Sequence, residues 1–109
     1  MSGIAGTVAA QGDFFFAKVI LSDGITLERP VYVIGDKGND EGDVIVCSCT
    51  TSPPRTGFDI PVLLKRQSYV RANKIYTINR AALLFRIGHQ LTRSERDAIH
   101  AKVKEALGL

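Results

Sequence analysis

Short apolar runs rich in β-branched residues alternate with polar turns along most of the chain, and helical spacing appears only near the C-terminus. The first run, Phe14-Phe15-Phe16-Ala17-Lys18-Val19-Ile20-Leu21, is almost continuously apolar. It is bounded by Gly12-Asp13 and by Ser22-Asp23-Gly24. Turn residues at both ends of such a run predict a strand largely covered on both faces. Residues 25–28 read as a short loop. Arg29-Pro30 then opens the run Val31-Tyr32-Val33-Ile34; proline is tolerated at the first residue of a strand, where its missing N–H costs no ladder bond. Residues 35–42, with Gly38, Asn39 and Asp40, separate this run from a second one ending Cys47-Ser48-Cys49-Thr50-Thr51. Two β-branched runs about a polar connection predict a β-hairpin.

Residues 52–57 form a loop stiffened by Pro53 and Pro54. Residues 58–64 read as a strand in which Pro61 favours an edge or a bulge, and Lys65-Arg66-Gln67 as a turn. Residues 68–72 and 74–78 read as two strands joined through Asn73. Asn79 can cap a short helix over 80–85, which Gly88 ends. The clearest element comes last. Thr92-Arg93-Ser94-Glu95 is a capping box, and Ile99, Val103, Ala106 and Leu107 form one apolar stripe at helical spacing. Gly108 is placed to stop the helix. Five or six strands followed by a helix predict an α+β or small-barrel domain: a curved sheet with the helix packed on it. Residues 1–11 are small and neutral and read as a flexible N-terminal segment, with a single domain over 12–109.

Composition narrows the class. With 45% hydrophobic and 23% charged residues the chain is globular. No apolar run approaches the roughly 20 residues a membrane helix needs. Cys47 and Cys49 fall on the same face of a strand, where disulfide geometry is poor, and two ligands close no zinc site. They read as small buried apolar side chains in a protein of the reducing cytosol. Charge is divided between the halves. Residues 1–54 carry seven acids and three bases, residues 55–109 four acids and eleven bases. Between Arg55 and Arg86 stand seven bases and one acid, Asp59. A segment of that kind is an electrostatic footprint for a polyanion such as nucleic acid, or else a solvated basic face.

One pair carries candidate chemistry. Antiparallel pairing of the hairpin sets Arg29 near Thr50 at its open end. A guanidinium fits phosphate with a fixed fork of donors, and a hydroxyl beside it can donate to a phosphate oxygen. Thr51 is the neighbour that strand alternation turns away. Taken alone, an arginine before a strand and a threonine after one are more often structural. No metal-ligand spacing and no phosphate-cradling glycine loop occur, so neither metal nor cofactor is expected. His89 follows Gly88 in a turn and His100 lies within the helix; both read as structural or surface residues.

These residues, in this order and spacing, resemble the MazF/PemK-like toxins of toxin–antitoxin systems from residue 12 to the C-terminus. The resemblance rests on Gly12-Asp13, Ser22-Asp23-Gly24, Arg29-Pro30, Cys49-Thr50-Thr51-Ser52, the segment from Ser68-Tyr69-Val70-Arg71 through Lys74-Ile75-Tyr76-Thr77-Ile78, and Ile87-Gly88-His89-Gln90-Leu91-Thr92 leading into the helix. It implies a small SH3-like curved antiparallel barrel of five to seven strands with a C-terminal helix, and usually a homodimer. It also implies a metal-independent endoribonuclease that cuts single-stranded RNA, leaving 2′,3′-cyclic phosphate and 5′-hydroxyl ends, and an acidic antitoxin as partner. The family's essential arginine falls on Arg29 and its essential threonine or serine on Thr50. Arg55, Lys65, Arg71 and Lys74 are candidate RNA-backbone contacts by charge and position. A gyrase-poisoning relative, or a member that only binds nucleic acid or antitoxin, is the alternative. The chain departs from many relatives in the short loop before Arg29, in Asn73 where an acid is common, and in the length of residues 1–11.

Overall fold

The computed structural model describes residues 8–36 and 42–109. Its elements are β1 (Phe14–Ile20), β2 (Thr26–Gly35), β3 (Asp43–Thr50), β4 (Asp59–Leu63), β5 (Gln67–Asn79), a single 3-10 turn (Arg80–Ala82), β6 (Leu83–Ile87) and α1 (Arg93–Leu107). The strands form one antiparallel sheet in the order β4-β5-β3-β2-β1-β6. It is a curved, barrel-like sheet that is not closed, with the helix packed on it, as the sequence predicts. Residues 38–40, the centre of the expected hairpin connection, lie outside the described residues.

Strand alternation divides the core in two. Phe15, Ala17 and Val19 of β1, Val31 and Val33 of β2, and Val44 and Val46 of β3 bury one face of the sheet. Phe14, Tyr32, Cys47, Cys49, Val62 and Val70 bury the other, beneath Ile99 and Val103 of α1. Each of those two helix residues contributes on the order of 1.5–3 kcal/mol by leaving water. The capping box is present: Glu95 N donates to Thr92 Oγ1 at 3.1 Å and Thr92 N to Glu95 Oε1 at 2.9 Å. At the other end Gly108 takes φ 77°, and its N–H and that of Leu109 close on Glu105 and Lys104 carbonyls.

Four sequence expectations are corrected. Residues 26–28 are the start of β2, not part of a loop: Thr26 and Glu28 pair with Ile20 and Lys18. Asn79 does cap a turn, its side chain accepting from Ala81 N, but that turn is one 3-10 turn and not a helix over 80–85. The chain then enters β6, because Leu83 is buried and residues 83–87 pair with β1. Asn73 is no joint between strands; β5 runs unbroken through it. Covering of β1 on both faces is complete only in its first part, since Lys18 and Ile20 are exposed. Pro61 lies on β4, an edge strand, as expected. Within the segment read as flexible, Ala9 is buried. Arg86 Nη2 donates to Val8 O at 2.7 Å and Arg80 Nη1 to Ala9 O at 3.3 Å.

Candidate active site

Arg29 and Thr50 meet because β2 and β3 are adjacent and antiparallel. Val31 pairs with Ser48, and carrying that register outward by two residues sets Arg29 level with Thr50. Alternation sends Arg29 to the face of Val31 and Val33, and Thr50 to the face of Val44 and Val46. That core therefore ends in polar groups, and there the surface sinks into a cleft of about 270 Å³. Its lining includes Arg29, Ser48, Thr50, Arg55, Arg71 and Lys74. Thr51 is exposed and does not line it.

The two candidate catalytic groups are differently prepared. Thr50 is buried, and its Oγ1 accepts a hydrogen bond from Ser52 N at 3.1 Å. That bond fixes the oxygen and leaves the hydroxyl proton for a visitor. Arg29 is half-buried, and among the described residues its side chain has no ion pair or hydrogen bond. A guanidinium held in a cleft without a counter-ion is a site for an anion.

Of the four candidate backbone contacts, the structure brings three to the cleft. Arg55 reaches it from the loop before β4, and Arg71 and Lys74 from β5. Lys65 stands in the exposed turn between β4 and β5 and does not line it. Residues 71 and 74 would face opposite ways in a regular strand. Here the β3–β5 register jumps: Cys47 pairs with Ile75 and Cys49 with Val70, so β5 advances five residues where β3 advances two. This irregularity brings both cations to one side.

Sequence reasoning missed Asp59. It read as a lone acid in a basic segment, yet its side chain is 1% exposed and its residue lines the cleft. Asp59 pairs across the sheet with Arg71. Its Oδ1 accepts from Arg71 Nε at 3.4 Å and its Oδ2 from Arg55 N at 2.8 Å. Strand pairing is the signal that finds it. Tyr76 and Asp23 also line the cleft.

The histidines and cysteines lie elsewhere. On the helix-covered face, Tyr32 Oη and His100 Nε2 are 2.9 Å apart, and burial pushes the Tyr32 hydroxyl up to about 12. Cys47 and Cys49 are buried free thiols. Burial raises Cys47 to about 12 and Cys49 further still, so neither is a nucleophile at neutral pH. His89 Nε2 is buried without a hydrogen-bond partner among the described residues, and its ring packs edge-on against Phe14. Among the described residues no group of three or more His, Cys, Asp or Glu could hold a metal ion. Among them, too, no helix is long and apolar enough to cross a membrane.

Comparison with known proteins agrees with this frame. The model of a family described as PemK-like, MazF-like toxin of type II toxin–antitoxin system matches residues 10–107. No curated protein matches. Among solved structures, the Mycobacterium tuberculosis toxin MazF-mt6 superposes with a TM-score of 0.71 at 23% identity, over 89% of this chain and 97% of that one. A mycobacterial endoribonuclease in complex with its cognate antitoxin gives a TM-score of 0.74 at 20% identity, over 94% and 97%. The MazE–MazF complex of Deinococcus radiodurans gives 0.75 at 16%, over 94% and 99%.

Proposed function

The chain belongs to the PemK-like, MazF-like toxin family of type II toxin–antitoxin systems, and on that premise we propose that it is a cytoplasmic endoribonuclease cutting single-stranded RNA without a metal ion. The observation that carries the reading is the cleft in which Arg29, without a counter-ion among the described residues, stands level with Thr50.

In the proposed reaction the ribose 2′-oxygen bonds to the adjacent phosphorus and the P–O5′ bond breaks. The proton lost by the 2′-hydroxyl is balanced by the one gained at the 5′-oxygen. The products are a 2′,3′-cyclic phosphate and a 5′-hydroxyl end. Arg29 stabilises the charge that gathers on the non-bridging oxygens in the transition state. A guanidinium stays charged at any working pH and is a reluctant base, so its main role is electrostatic. Thr50 donates its hydroxyl to the scissile phosphate. Arg55, Arg71 and Lys74 hold the flanking backbone, and Lys65 takes no part within the cleft. An antitoxin with an acidic segment would compete for the same cations, in keeping with relatives solved as toxin–antitoxin complexes. The active assembly is a homodimer.

The test is digestion of a long RNA by the purified protein in EDTA, with chemical analysis of the new ends. Arg29→Ala and Thr50→Ala each lower the cleavage rate by at least about 100-fold, the usual cost of losing a transition-state donor, while the fold is kept. Persistence of cleavage in both variants overturns the site. Gyrase inhibition by a wild type that cuts no RNA overturns the function.

A further inference from the structure

We infer that Asp59 is a positioning residue for RNA binding, holding Arg71 and the 52–57 loop in place along the cleft; this rests on the RNA-cleavage reading. Three observations carry it. First, the carboxylate is closed off from solvent, with 1% of its side chain exposed, although it belongs to the lining of a cleft proposed to bind an anion. A carboxylate there works against substrate by Coulomb repulsion, so its presence calls for a compensating task. Second, its two oxygens divide the work. One takes the Nε–H of Arg71 and the other the backbone N–H of Arg55. Third, holding Arg71 through Nε leaves both terminal amino groups of the guanidinium uncommitted by that bond. Those terminal groups are the pair that an end-on bidentate contact with a phosphate uses.

The sign of the effect separates this role from simple electrostatics. Removing a negative charge from an anion-binding cleft should tighten RNA binding. Losing the holder of Arg71 should weaken it. Asp59→Asn is the informative substitution, because its side-chain carbonyl can still accept from Arg55 N while its amide cannot accept from Arg71 Nε. The probe is a short fluorescent single-stranded RNA carrying the cleavage sequence mapped with wild-type protein. For D59N we expect KM to rise about tenfold with kcat within about twofold, as for loss of binding shared by ground and transition states. In an Arg71→Ala background D59N should no longer raise KM and should lower it, because only the loss of the negative charge then remains. Arg71→Lys keeps the charge but loses the fork, and should reproduce the rise in KM without touching Asp59. Thermal melts of each variant show that the protein assayed is folded. KM unchanged or lowered in D59N overturns the inference, as does a tenfold rise that persists in the R71A background. A wild type that neither binds nor cuts the RNA overturns the functional reading itself, and with it the role of Asp59.

Discussion

Among the described residues Arg29 has no counter-ion, although its cleft also holds two carboxylates, Asp23 and Asp59. The reason is that each carboxylate is engaged elsewhere. Asp59 is taken up by Arg71 and the Arg55 backbone, and Asp23 Oδ1 accepts from Ile25 N at 3.0 Å within its own turn. The meeting of Arg29 and Thr50 was legible in the sequence because two β-branched runs about one connection announce a hairpin and alternation has a fixed period. Asp59 was not, because its burial rests on the Arg71 side chain across the sheet and on the Arg55 backbone, contacts that alternation does not announce. Lys65 shows the converse error: charge alone brought it to the cleft, and the turn holds it away.

His100 supplies a prediction of pH dependence. Burial lowers its pKa, Arg96 adds to this, and Asp97 opposes it. Charging the ring therefore costs more in the folded state than in the unfolded one. Its contribution is intact above the unfolded pKa of about 6.5 and is lost as acid takes the pH down through the lowered folded value. Thermal midpoints should fall between about pH 7 and about pH 5 in the wild type. They should fall less steeply in His100→Gln.

Short apolar runs are the elements that sequence reading misassigns, and β6 is the case here. Five residues cannot by themselves distinguish a strand from a buried helical turn. The stacking of Phe85 on Phe16, with ring centroids 5.2 Å apart, and the pairing with β1 decide it. The register jump in β5 was equally hidden, since it is a property of two strands together. By contrast α1 was legible almost to the residue, because its capping box and glycine stop are local chemistry. Thr92→Ala should cost about 1 kcal/mol of stability, read as a lower denaturation midpoint in urea. Cleavage measured well below that midpoint should be unchanged, since α1 packs on the face away from the cleft.

The molecule as a whole ties its beginning to its end. Ala9 is part of the core shared by β1, β2 and β3. Arg86, on the last strand, binds both Val8 O and Asp13, the latter at 2.9 Å. Removal of residues 1–10 should therefore destabilise the domain by about 1 kcal/mol or more, measured by denaturant unfolding of the shortened chain against the full one.

The sheet order has one more consequence. Arg29 and Thr50 stand on the two inner strands, β2 and β3, whereas Asp59 lies on β4, an edge strand of five residues interrupted by Pro61. Edge strands open locally at lower free energy than central ones. Mild heat, or a partner that peels the edge away, would release Asp59 first and leave Arg29 and Thr50 in place. Under the proposed function, affinity for RNA would then be lost before the ability to cleave what is bound.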